Sequence, residues 1–201
     1  LVGTLEQLVR ELDQEKRKRA DELELRHQVS QLLPLVENEL ALMFMVDHMV
    51  DAGPEQLSEW LGFPLDQGCA IVVAFPEHFY TPDKKKMYDN IRSFAKTHGS
   101  ACIVSSVIDR HMAIFLRKPP GAREDDWKED VKRYGEKLCA LAERQAGFAV
   151  SVGIGSTRNG ADGLRKSYFE AVFASTYFEI GGKVCHFDEL KQGADGIVPE
   201  P

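Results

Sequence analysis

This sequence of 201 residues has no basic excess, no clustered cysteines and no long apolar run, and each absence removes a class of function. The net charge is −7. Sequence-independent duplex binding needs a cationic face to neutralise phosphates, so no direct nucleic-acid contact is expected. The four cysteines, Cys69, Cys102, Cys139 and Cys185, stand 33, 37 and 46 residues apart. That spacing contains no CxxC pair and no zinc-ligand pattern. Buried free thiols in a reducing, cytoplasmic setting are expected instead. The longest apolar run, LALMFMV at residues 40–46, is far short of the roughly 20 residues that cross a bilayer. No signal peptide is visible, and no membrane segment is expected in this stretch. The chain begins with Leu1 rather than Met, and we expect it to be a piece of a longer protein.

Phosphate-binding loops are also wanting. The stretch SVGIGSTRNG, residues 151–160, has the glycine density of such a loop. A dinucleotide fingerprint needs a third glycine where Arg158 stands, and no Gly-Lys-Ser/Thr follows for a P-loop. Gly153 falls inside a predicted strand, so the glycines are expected to serve close packing before a turn. The six histidines show no metal-ligand spacing. His27, in ELRHQVSQLLPL, is read as an exposed helix residue. Ser105 and Ser106 lack a nucleophile-elbow context. No catalytic, metal or cofactor residue follows from spacing.

What is present is a composition fit for a globular core, 43% hydrophobic and 28% charged. Residues 1–50 read as helical. Leu1, Leu5, Leu8 and Leu12 follow the 4-3-4 spacing of a coiled-coil seam. The seam fails over EKRKRADELELR and resumes one residue out of frame at Leu25, Val29, Leu32 and Val36. Glu15 with Arg19 and Glu22 with Arg26 form i,i+4 pairs in the favourable order. The basic run at residues 16–19 is therefore read as a solvated helix face. Pro34 predicts a kink or a new helix, whose apolar residues run to about Asp51–Gly53. A short helix at 54–61 follows.

From Cys69 the pattern alternates. CAIVVAF, residues 69–75, reads as a strand buried on both faces. Thr81-Pro82 caps a helix closed by Gly99. Residues 101–107 and 111–117 form a hairpin about an Asp109-Arg110 turn. Trp127, Val131, Tyr134, Leu138 and Leu141 mark an amphipathic helix ending at Gly147. A strand at 148–154, a helix at 164–178 and a short strand at 183–187 complete the block. The first six elements are the split βαβ pattern of ferredoxin-like sheets. The expected fold is α/β (α+β): a ferredoxin-like, nucleotide-cyclase-like βαββαβ sheet domain behind a long N-terminal helix in a parallel coiled coil. The expected partition is a signalling helix at 1–33, a helical connector at 34–66, the sheet domain at 67–190 and a disordered tail at 191–201.

The segment VSVGIGSTRNGADGLRKSYFEAVFAS, with GGKVCHFDEL after it, resembles the CdaR GGDEF-like domain of bacterial transcription regulators. The resemblance rests on Ser151, Gly153 and Gly155, then Leu164, Arg165, Ser167, Tyr168, Glu170 and Ala171. It extends over roughly residues 25 to 190, since LLPLVENELALMFMVDHMVDAGPEQLSEWLGFPL resembles the lead-in to this domain in AraC-type response regulators. It implies a fold shared with diguanylate cyclases, so the catalytic positions can be compared. A cyclase carries acids at the end of its first strand to hold two metal ions. Here that strand ends Val73-Ala74-Phe75-Pro76. A cyclase hairpin reads Gly-Gly-Asp/Glu-Glu-Phe, whereas this one reads Ile108, Asp109, Arg110, His111 and Met112.

The resemblance therefore implies a non-enzymatic regulatory module of a signal-transduction transcription regulator, of the two-component kind. It would be homodimeric through α-helical pairing, and would reach DNA through a helix-turn-helix domain outside this stretch. One alternative is a sensor binding a nucleotide or metabolite in a vestigial pocket at Phe75, Glu77 and His78. A remoter alternative is an active cyclase.

Overall fold

A computed structural model describes residues 2–46, 54–77, 84–98, 101–177 and 183–195. The chain forms two compact units, Leu1–Val36 and Glu37–Pro201. Helix α1 (Val2–Met45) accounts for the described part of the first unit. Its two predicted ion pairs are made: Arg19 reaches Glu15 at 3.1 Å and Arg26 reaches Glu22 at 2.7 Å. His27 is exposed, as expected. Of the seam residues, Leu12, Leu25, Leu32 and Val36 are 54%, 61%, 57% and 39% exposed. The side chains of Leu1, Leu5, Leu8 and Val29 lie outside the described residues.

No new helix begins at Pro34, which sits inside α1. Proline removes one helical hydrogen bond and crowds the preceding turn, a cost of about 3 kcal/mol. Burial on the C-terminal side offsets it. Leu40, Ala41, Phe44 and Met45 are all buried, and each large apolar side chain contributes about 1.5–3 kcal/mol. The expected continuation to Asp51–Gly53 lies outside the described residues, as does the Thr81-Pro82 cap.

The second unit is built on one mixed sheet. After α2 (Pro54–Leu61) come β1 (Gln67–Ala74), α3 (Lys84–His98), β2 (Cys102–Val104), β3 (His111–Arg117), α4 (Glu124–Ala146) and β4 (Ser151–Ile154). Then follow β5 (Arg158–Asn159), α5 (Gly160–Ser175), β6 (Val184–His186) and a last helix, α6 (Phe187–Asp195). The strand order is β2-β3-β1-β4-β6, with β5 also paired to β1. Every pairing is antiparallel except β4 with β6. The βαββαβ order expected from sequence is present.

Central strand β1 explains the continuous apolar run. Ile71 pairs with Ile114 on one side and Ile154 on the other. Successive side chains point to opposite faces. Cys69, Ile71 and Val73 meet α3 and α4 through Ile91, Trp127 and Leu138. Ala70 and Val72 meet Phe44 of α1 and Tyr168 of α5. All four cysteines are buried free thiols. Burial pushes the Cys69 thiol up to about 12 and the Cys102 thiol up to about 11. Among the described residues no helix is long and apolar enough to cross a membrane.

The strand expected from residue 148 begins at Ser151 and the helix expected from 164 begins at Gly160; two further differences have visible reasons. Strand β2 stops at Val104, because Ser105 accepts the Ala113 N–H on its hydroxyl at 2.8 Å rather than through the main-chain ladder. The tail expected from residue 191 is helical to Asp195. Acidic Asp188 and Glu189 occupy the first turn of α6, where the helix dipole favours them. The Lys191 ammonium lies 4.5 Å over the Phe187 ring.

Gly153 and Gly155 let α5 lie unusually close to the sheet. A Cβ on Gly153 would stand 1.8 Å from the Ala171 carbonyl oxygen, and one on Gly155 would stand 2.0 Å from that of Ser167. Both obstacles are backbone, so the helix itself would have to move. Gly153→Ala should therefore lower the unfolding free energy by about 3 kcal/mol, the upper range for overpacking, read as a lower urea midpoint at unchanged slope.

Candidate functional site

The place where a cyclase would hold its metals is the C-terminal end of β1 beside the β2–β3 turn. Ile108 and His111 exchange N–H···O bonds of 2.8 Å in both directions. Asp109 and Arg110 between them have φ of 44° and 67°. Two left-handed residues in a two-residue loop match the twist of the flanking strands, and this geometry ordinarily selects Asn-Gly or Asp-Gly. The backbone shape that glycine usually supplies is thus kept with an arginine in it. The turn is tied to β1, since Phe75 N–H donates to the Arg110 carbonyl at 2.9 Å.

The side chains there do not converge on a cation. Phe75 is buried in the core on the α3–α4 side of the sheet and offers no oxygen. Glu77 is exposed, and His78 lies outside the described residues. Met112 is fully buried and Ile108 half-buried, while Asp109 and Arg110 are exposed. His111 is half-buried opposite Ala74. Burial pushes its imidazole pKa down, with Asp109 opposing and Arg110 reinforcing the shift. Among the described residues no group of three or more His, Cys, Asp or Glu side chains is placed to hold a metal ion.

The stretch SVGIGSTRNG runs along β1 from Ser151, opposite Ala74, to Asn159, opposite Gln67 at the other end of the sheet, and its backbone donors are turned inward. Gly155 N–H donates to the Ala70 carbonyl at 2.9 Å, and Gly160 N–H to the Asp66 carbonyl at 2.8 Å. Ser156 N–H donates to Glu170 Oε2 at 2.9 Å. Arg158 pairs with the other oxygen of Glu170. A phosphate cradle needs such N–H groups free and convergent, and here they stitch the loop to β1 and α5. Ser167, fully buried, accepts the Ala70 N–H on Oγ at 2.9 Å. Ser156 Oγ donates to Asp188 Oδ1 at 2.6 Å. Burial raises the Asp188 pKa, but this bond together with His186, Lys128 and Lys191 holds the carboxyl below its ordinary value. Burial lowers the His186 pKa as well, which for an imidazole favours the neutral form. Its Nδ1 accepts the Asp188 N–H at 3.1 Å.

A third feature was not foreseen from sequence. The buried carboxylate of Glu37, on α1, meets Arg92 at 3.0 Å and Lys96 at 2.7 Å. Asn38 Oδ1 accepts the Ser106 N–H at 2.7 Å. The Phe44 and Phe115 rings are 5.1 Å apart. Residues 37–45 of α1 are thereby part of the sheet domain. The available signal was a polar Glu-Asn pair at the start of an otherwise apolar helical stripe.

The left-handed turn yields a prediction. A side chain in this conformation costs about 1–2 kcal/mol, partly returned because glycine loses more entropy on folding. Arg110→Gly should raise stability by about 1 kcal/mol in urea unfolding. Arg110→Val, β-branched at positive φ, should lower it.

The GGDEF-like domain family model matches residues 48–176, a narrower stretch than residues 25 to 190. Among solved structures, the chain is similar to the regulator of polyketide synthase expression from Bifidobacterium adolescentis. There the identity is 14% and the TM-score 0.48, over 72% of this chain and 53% of that one, so the chain spans about half that regulator's length. It is also similar to the GGDEF domain of TpbB (YfiN) from Pseudomonas aeruginosa, at 14% identity and a TM-score of 0.37, over 63% of this chain and 83% of that one. No curated protein matches the sequence. The family match takes in α2 through α5, and with them β1, the altered hairpin and the SVGIG strand; the chain belongs to the GGDEF-like domain family.

Proposed function

We propose that this chain is a non-catalytic regulatory module, in which α1 pairs with its twin in a parallel coiled coil. The sheet domain relays the state of that pair to a DNA-binding output outside this chain. The observation that carries the reading is the β1–hairpin end: the turn backbone persists, while Phe75 and Arg110 stand where metal-binding groups would be required. Without metal ions the chemistry lacks the charge that would stabilise a transferring phosphoryl group.

The exposed seam supports the dimer. A long helix has little stability of its own without an apolar face packed against something. Leu12, Leu25, Leu32 and Val36 are solvent-exposed at the seam positions. The charged segment between Leu12 and Leu25 lowers coiled-coil stability, so two registers can lie close in energy. A change of register or rotation would bias a two-state dimer. It would be felt in the sheet domain at Glu37, Asn38 and Phe44, where α1 is bonded and packed.

Sedimentation velocity at tens of micromolar should show a homodimer. Leu25→Asp with Leu32→Asp should give a monomer whose sheet domain melts as before. A monomeric parent chain, or a variant that stays dimeric, would refute the pairing.

A further inference from the structure

At the end of the sheet away from the hairpin, His98 at the end of α3, the β3–α4 connection and α4 as far as Lys137 line an open cavity of about 640 Å³. Leu116, on its floor, is five residues along β3 from His111, or about 17 Å at the rise of a strand. The cavity is therefore separate from the altered metal end. Its size is that of small-molecule sites, about 300–1,000 Å³.

The lining divides into an aromatic wall and a cationic rim. Trp127 and Tyr134, both largely buried, form the wall with Leu116. The indole is held in place, because Nε1–H donates to Thr157 Oγ1 at 3.1 Å. The Tyr134 ring is packed 5.5 Å from that of Phe94. A flat ligand would thus meet rings already fixed, with little ordering left to oppose binding.

On the rim, Asp126 is paired with Arg123 at 3.8 Å and Asp130 with Arg133 at 3.5 Å. Lys137 has no ion-pair partner among the described residues. It stands one turn from Arg133 on α4. Like charges at i,i+4 destabilise a helix. Two cations on adjacent turns beside an aromatic wall, in a chain of net charge −7, are arranged for an anion.

We propose that this cavity binds a small organic anion, with its flat apolar body against Trp127 and Tyr134 and its carboxylate or sulfonate between Arg133 and Lys137. The site stands whether or not α1 dimerises.

The probe is the aromatic sulfonate 8-anilinonaphthalene-1-sulfonate. The chain has two tryptophans, so Trp60→Phe leaves Trp127 as the sole indole donor. Titration should give saturable energy transfer from Trp127 with one site per chain. Arg133→Glu with Lys137→Glu should weaken it at least tenfold, and the milder pair Arg133→Gln with Lys137→Gln should weaken it in the same direction. Circular dichroism verifies that each variant is folded. Absence of saturable transfer, or equal affinity in the charge-changed and parent chains, would overturn the proposal. Equal affinity would place the dye on exposed apolar surface instead.

Discussion

Ala70, in the middle of the central strand, gives its N–H to Ser167 Oγ and takes the N–H of Gly155 on its carbonyl. A helix side chain and the end of β4 thus satisfy one residue of β1. This is feasible only because glycine stands at 153 in β4 and at 155 just after it, where any Cβ would strike the backbone of α5. The close approach brings Leu164, Tyr168 and Ala171 onto the same core as Phe44 and Phe115. That core holds the last turns of α1 against the sheet. The SVGIG strand and the helix after it therefore act as one fastening, and the placement of residues 37–45 depends on it.

The hairpin end shows how backbone and side chains divide their roles. The hairpin turn is closed by two short hydrogen bonds and tied to β1 by a third. Those bonds belong to the backbone and are made here with no glycine in the turn. Metal binding belongs to side chains, and at this end Phe75 is buried in the core, Asp109 and Arg110 are exposed, and no described His, Cys, Asp or Glu side chains gather in a group of three or more. A left-handed arginine costs little enough for the surrounding ladder to hold it.

Much of this was legible in the sequence because the physics is local. CAIVVAF had to be buried on both faces, and it is the central strand. Asp109-Arg110 between two apolar runs had to be a tight turn, and it is. SVGIGSTRNG failed the spacing of phosphate loops, and its N–H groups are indeed used within the protein. What sequence did not reveal depends on distant partners. Pro34 looked like a break, but the burial of Leu40, Ala41 and Phe44 carries the helix through it. The buried Glu37 needed Arg92 and Lys96, 55 and 59 residues away, to be tolerable. Helix α6 was hidden in a polar segment, and its first turn is tied back to the domain through Asp188 and Ser156. The cavity beside α4 is made by a strand end, a loop and a helix that no short window contains.

On the proposed function, the GGDEF-like scaffold of this chain carries no cyclase chemistry. Incubation of the protein with GTP and Mg²⁺, followed by chromatographic detection of guanine nucleotides, tests it most directly. The account predicts that GTP is recovered unchanged, with no cyclic dinucleotide above a protein-free blank. Time-dependent formation of a cyclic dinucleotide would contradict it.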